Sequence, residues 1–87
     1  MTYYVYVLAN HKNSKLVTYV GYTNNLTKRL YLHNRGKGAK FTRGRKWKII
    51  YTERYFTKKA AISRESYIKK NRKLRNIIKE LFRWKKK

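Results

Sequence analysis

The chain has no aspartate, no cysteine and no proline, and its acidic residues are three glutamates, Glu53, Glu65 and Glu80, in 87 residues. Without cysteine there is no disulfide and no Cys-type zinc site, and the redox compartment stays open. With three carboxylates, a two-metal clamp built from clustered acids is excluded. Any metal used in chemistry must therefore be held by very few protein oxygens. Long apolar runs are also missing. The longest stretch, Tyr3 to Ala9, has the length of a strand and no basic residue before it. Neither a signal peptide nor a membrane span is expected, and the expected location is cytoplasmic.

What the chain has in excess is positive charge: 25 Lys and Arg against three acidic residues, for a net charge of +22. Such an excess repels itself and weakens the compact state unless a polyanion neutralises it. Nucleic acid is the obvious partner. An anionic membrane surface is the second candidate, but the apolar residues do not gather into one basic amphipathic helix of the interfacial kind. The length suits a single domain, 1–87, with one modest core and a basic tail over 83–87.

The pattern predicts an α+β domain: a three-stranded antiparallel sheet flanked by helices, in the order β-β-α-β-α-α. Tyr3 to Leu8 is aromatic and β-branched and reads as a strand. The polar run Asn10 to Lys15 reads as a turn, and Leu16 to Thr23 as the second strand of a hairpin. Tyr4, Tyr6 and Leu8 then share one face, as do Tyr19 and Gly21 on the neighbouring strand. Asn24 or Asn25 can cap a helix to about Asn34, with Gly36 as its stop. Leu26 and Leu30 define the buried stripe of that helix, with Arg29 and His33 on its flank. Trp47 to Phe56 reads as a third strand, with Trp47, Ile49 and Tyr51 alternating against Lys48, Ile50 and Thr52. Thr57 can cap a helix through about Lys70, with Ala61, Glu65 and Ile68 on one face. The last helix, from about Lys73, carries Leu74, Ile77, Ile78 and Leu81 as a packing stripe, and the tail from Arg83 is expected to fray.

This order brings phenol, guanidinium and imidazole groups together, and all three can handle a phosphodiester: one takes a proton, one holds negative charge, one relays. The ordinary roles of these residues are different. Hairpin tyrosines pack as cross-strand pairs, His33 can favour a helix C-terminus, and Glu65 can pair with Lys69 four residues on. Against the last, the phase of Glu65 sets it between Ala61 and Ile68, where an unpaired carboxylate is costly. The glycine-bearing loop between helix and third strand presents Lys37, Lys40, Arg43, Arg45 and Lys46, a natural phosphate-contact surface. Its three glycines permit close backbone approach.

Taken in order, Tyr4-Val5-Tyr6, then Tyr19-Val20-Gly21, then Arg29 ten residues after Tyr19, His33 four further on, and Glu65 on the second helix resemble the GIY-YIG nuclease superfamily. The tract HNRGKGAKFTRGR from His33 to Arg45 is similar to that of the small stand-alone bacterial members, and the likeness spans residues 3 to about 82. The resemblance implies phosphodiester hydrolysis, on DNA more than RNA, with one divalent cation, Mg²⁺ or Mn²⁺, held by a single glutamate. It assigns Tyr6 and Tyr19 as the strand tyrosines, Arg29 as the transition-state arginine, His33 as the helix histidine and Glu65 as the metal ligand. Tyr4 departs from the family by replacing the first-motif glycine. For the asparagine that many members carry late in the domain, Asn71 and Asn76 are both candidates. Two other functions compete: a catalytically inactive nucleic-acid-binding module, and a structural basic protein. The patterned hairpin argues against the second, which ordinarily reads as extended basic tails.

Overall fold

A computed structural model of the chain describes residues 1–12 and 15–85. Its elements are β1 (Tyr3–Lys12), β2 (Lys15–Thr23), α1 (Leu26–Asn34), β3 (Lys48–Tyr55), α2 (Lys58–Lys70) and α3 (Arg72–Lys85). The three strands form one antiparallel sheet in the order β2-β1-β3. This is the expected α+β architecture. Among the described residues, no helix is long and apolar enough to cross a membrane.

The central strand β1 feeds two cores, one on each face of the sheet. Val5 and Val7 point to one side and are buried with Val20, Ala61, Ile68 and Ile78 from β2, α2 and α3. Tyr6 and Leu8 point to the other and pack with Trp47, Leu26 and Leu30, the last two from α1. A strand covered on both faces has no polar alternation to show, which is why Tyr3 to Ala9 reads as one apolar run. Each fully buried Val, Leu or Ile contributes about 1.5–3 kcal/mol, opposing the self-repulsion of the charge.

Capping fixes the helices where the sequence places them. Asn25 accepts a hydrogen bond from the Lys28 N–H, and Thr57 accepts one from Ala60. After α1 the chain turns through Gly36, whose φ of 77° is the left-handed conformation that favours glycine.

Several expectations are corrected. The hairpin strands extend through most of the polar run expected as a turn: Asn10 pairs with Val17, His11 with Leu16 and Lys12 with Lys15. Backbone ladders do not require apolar side chains, and only Asn13 and Ser14 of that turn lie outside the described residues. In β3 the strict alternation fails because the register shifts opposite Val7 and Leu8. Ile49 therefore joins the Tyr6 core while Ile50 and Tyr51 both join the Val5 core, as a bulge permits. The α3 stripe is only half buried. Ile78 and Leu74 pack inward, whereas Ile77 and Leu81 stand exposed on the side of Lys73, Asn76 and Glu80. Nor does α3 fray at Arg83. It runs to Lys85, with an Arg83–Glu80 ion pair at 3.1 Å and a basic end that suits the helix dipole. Lys86 and Lys87, the end of the expected tail, lie outside the described residues.

Glu53, unremarked in the sequence beyond its place in β3, ties α2 to the sheet. Arg64 donates from Nε to Oε1 at 2.8 Å and from a terminal nitrogen to Oε2 at 3.0 Å, while the Tyr51 and Tyr55 hydroxyls donate to the same carboxylate. Burial works against the charge, but the Arg64 fork and the two phenols bring the Glu53 carboxyl down to about 2. A carboxyl lower in the folded than the unfolded chain stabilises above its unfolded pKa and loses that contribution as pH falls through the folded value. Glu53→Gln is therefore expected to lower stability at neutral pH by roughly 2–3 kcal/mol. In urea titrations at pH 7 and pH 2 the difference should shrink at the lower pH. An equal difference at both would show that the fork contributes nothing.

Candidate active site

The site assembles where β1, β2, α1 and α2 meet. A polar cleft of about 360 Å³ is lined by Tyr6, Tyr19, Gly21, Arg29 and Glu65, together with Tyr3, Tyr22, Thr23, Asn24 and Lys58. Four of the five predicted catalytic and metal-binding residues thus face one space. His33 does not. It is fully buried behind Tyr6, on the stripe of Leu26 and Leu30 rather than on its flank, since position 33 follows 26 and 30 at helical spacing.

Its burial is explained by a chain of hydrogen bonds whose direction the structure determines. The Tyr6 hydroxyl lies 2.8 Å from His33 Nε2, and His33 Nδ1 lies 2.9 Å from the Thr42 hydroxyl oxygen. Thr42 donates its only hydroxyl proton to the Ala39 carbonyl at 3.0 Å, so it must accept from the imidazole. The proton of neutral His33 therefore sits on Nδ1, and Nε2 accepts from Tyr6. Arg29 Nε in turn donates to the Tyr6 oxygen at 3.4 Å. Arginine, phenol, imidazole and threonine form one directed line.

Burial, with the Arg29 charge second, lowers the His33 imidazole below its usual 6.5, so it is neutral at physiological pH. Burial also pushes the Tyr6 phenol above its usual 10, outweighing the Arg29 hydrogen bond and charge that act the other way. Arg29 and the positive field, which by themselves favour a phenolate, are thus outweighed at Tyr6 by desolvation. Tyr6 enters any reaction as a protonated phenol with a base already on its proton.

Two glycines make room for this line. Gly21 lies opposite Tyr6 in the sheet, and a Cβ placed there would stand 2.6 Å from the phenol Cζ. Gly38 lies against the imidazole, where a Cβ would stand 2.6 Å from His33 Cγ. The glycines expected to admit a phosphate are accordingly used within the protein: Gly38 for His33, Gly36 and Gly44 for turns at φ 77° and 73°. Gly21→Ala is expected to displace Tyr6 from both His33 and Arg29. Its effect should appear as lost activity and as loss of the shifted His33 titration by NMR. An unchanged imidazole titration would show that the ring line tolerates the methyl group.

Glu65 differs from Glu53 in how little holds it. Its only ion pair among the described residues is with Lys69, four residues on, at 3.5 Å. Its side chain is 18% exposed and lines the cleft, so carboxylate oxygens remain for a ligand. No cluster of three or more metal-ligating side chains exists among the described residues. One carboxylate facing a wet polar cleft suits a hard cation that keeps its waters and takes a phosphate oxygen. The Glu65–Lys69 pair expected as the ordinary role is also present, and is a loose one.

The basic loop is anchored rather than free-standing. Asn34 holds the Trp47 backbone from both sides, accepting its N–H at 2.6 Å and donating to its carbonyl at 3.1 Å. The Trp47 indole donates to the Thr42 carbonyl at 2.9 Å. Lys37, Lys40, Arg43 and Lys46 are exposed, while Arg45 is half-buried with its guanidinium 5.3 Å from the Phe41 ring centre. None of the five lines the cleft. Neither asparagine candidate does either. Asn71 caps α3, accepting from the Leu74 N–H at 3.0 Å, and Asn76 lies beside Ile77 and Leu81. Sequence reasoning missed Thr42, Asn34 and Gly38 as supports of the site, because their roles depend on a fold-back of the loop that no local pattern announces.

The GIY-YIG catalytic-domain family model matches residues 2–78. The UPF0213 protein CPE1444 of Clostridium perfringens is 50% identical over 78 residues, covering 85% of this chain and 81% of that protein. The UPF0213 protein YazA of Bacillus subtilis is 44% identical over 69 residues, covering 78% and 67%. Among solved structures, the solution structure of the UPF0213 protein BH0048 from Bacillus halodurans is similar with a TM-score of 0.51 and 32% identity, covering 93% of this chain and 85% of that one. The match spans both strand motifs, the Arg29 and His33 helix and the Glu65 helix, and so this chain belongs to the GIY-YIG family, a family of nucleases acting on nucleic acid.

Proposed function

We propose that this protein is a metal-dependent endonuclease that hydrolyses DNA phosphodiester bonds. The observation that carries the proposal is the convergence of Tyr6, Tyr19, Arg29 and Glu65 on one polar cleft in a chain of net charge +22.

Each group has a distinct task. Arg29 spends one N–H on Tyr6, and among the described residues its terminal nitrogens carry no hydrogen bond, leaving a planar fork for the scissile phosphate. Tyr6 accepts a proton from the attacking water while giving its own to His33 Nε2. The resulting imidazolium keeps its Nδ1–H bond to Thr42. This relay avoids a free phenolate, which a phenol above 10 does not supply at neutral pH. Tyr19 borders the same cleft, and its hydroxyl, unbonded among the described residues, orients the water or phosphate. Glu65 would hold Mg²⁺ or Mn²⁺, which when bound neutralises charge on the phosphate and favours hydroxide as nucleophile. Lys37, Lys40, Arg43, Arg45 and Lys46 extend the phosphate-binding surface beyond the cleft. Activity on DNA suits a structure-specific step in repair or recombination.

The test is cleavage of matched labelled DNA and RNA strands with Mg²⁺ or Mn²⁺. The proposal expects cut DNA with a metal-dependent rate. Cleavage of RNA alone would reassign the substrate. The inactive binding-module alternative requires a defective site, and the intact Arg29–Tyr6–His33–Thr42 line weighs against it.

A further inference from the structure

Phe41 is half exposed beside the proposed catalytic cleft, in a loop where half of the other residues from Gly36 to Lys46 are cationic. Its ring stacks on Tyr19 with centres 6.1 Å apart and planes at 21°, and meets Trp47 at 6.1 Å. Trp47 is 4% exposed, whereas Phe41 leaves 50% of its surface to solvent, so Phe41 does not simply extend the core. Its position is fixed by its neighbour: Thr42 is fully buried, bound to His33 through its side chain and to the Trp47 indole through its carbonyl. An ordered apolar ring is thus held at the surface at the cost of its own burial.

The space beside it is a groove of about 270 Å³ lined by Thr18, Tyr19, Val20, Phe41, Lys69 and Arg75. Tyr19 lines both this groove and the cleft, so the two share a wall. The cations are placed. Arg75 is bound to the Ile68 and Lys69 carbonyls at the end of α2, Lys69 lies 5.8 Å from the Tyr19 ring centre, and Arg45 covers Phe41 at 5.3 Å. An aromatic ring flanked by cations is the chemistry that takes a stacked base with its adjacent phosphates.

We infer that Phe41 is the stacking platform of a nucleobase subsite next to the cleft, and that an unpaired base of the bound strand takes the place of the Arg45 guanidinium on the ring while Arg45 turns to the adjacent phosphate. A base inside a duplex has both faces covered by its neighbours, so the subsite selects strands with a single-stranded or extruded nucleotide beside the bond facing Tyr6 and Arg29. The inference rests on the proposed action on nucleic acid, but it concerns binding and is separable from hydrolysis.

The test compares a thymidine oligonucleotide with an oligonucleotide of abasic residues of equal length, bound in EDTA so that phosphates match and metal plays no part. Wild type is expected to prefer the base-bearing strand by roughly 5–150-fold, the worth of one stacked base. Phe41→Ala should abolish most of that preference, Phe41→Trp should keep it, and the dependence of affinity on salt should be the same for all three, since the phosphate contacts are unchanged. A Phe41→Ala protein that retains the preference, or a wild type without one, overturns the subsite. A wild type that shows the preference yet never cuts with Mg²⁺ or Mn²⁺ overturns hydrolysis and supports the subsite.

Discussion

Glu65→Gln is expected to abolish metal-dependent cleavage while leaving DNA binding and folding intact. The chain offers few other ways to hold a cation near the cleft. Glu53 is consumed by Arg64, Tyr51 and Tyr55 on β3, and Glu80 pairs with Arg83 on α3. An amide has the shape of the carboxylate without the charge that binds Mg²⁺. The lost partner of Lys69 is a loose pair on a half-exposed lysine, worth little to stability. Binding rests on the basic surface, so affinity for DNA should be unchanged or higher as one negative charge disappears. Cleavage by Glu65→Gln at the wild-type rate would remove this residue from the metal site. Loss of binding together with cleavage would instead show that Glu65 supports the cleft itself.

Tyr6→Phe is the second large effect, a fall of about 10²–10⁴ in the cleavage rate, the range for a lost acid–base group. The phenyl ring preserves the packing against Leu8 and Trp47 and deletes only the oxygen shared by Arg29 and His33. Because His33 acts through that oxygen, Thr42→Val should slow the wild-type enzyme yet change nothing further in the Tyr6→Phe background. The pH profile follows from the sign of the His33 shift. A neutral imidazole is needed to receive the proton, and its pKa lies below 6.5, so the rate should be flat at neutral pH and fall only in more acid solution. The same group adds stability above its unfolded pKa that is lost as pH falls through the folded value. A loss confined to Tyr19→Phe would move the proton transfer to Tyr19.

The element order and the two strand motifs were legible because they rest on local signals: apolar runs, the Asn25 and Thr57 caps, and the Gly36 stop. The composition of the cleft was legible because the resemblance to the GIY-YIG nucleases assigned Tyr6, Tyr19, Arg29 and Glu65, while the element order accounted only for the hairpin tyrosines lying near Arg29. The burial of His33 was not. It depends on the loop after α1 folding back so that Gly38 and Thr42 enclose the ring. The raised Tyr6 pKa was hidden for the same reason, since desolvation is a property of the enclosure and not of neighbouring residue types. The β3 bulge and the exposed Ile77 and Leu81 show the limit of periodicity. It says which residues share a face, while the neighbours decide whether the face is covered. Phe41, an unremarkable aromatic in a basic loop, became informative only when the loop put it beside Tyr19.

The most direct measurement is incubation of the purified wild-type protein with branched, single-stranded and duplex DNA in Mg²⁺ or Mn²⁺, each beside an EDTA control. Cleavage of at least one of these substrates is expected with metal, and none in EDTA. Cleavage that persists in EDTA, or tight binding to all three with no cleavage under any metal, would contradict metal-dependent hydrolysis.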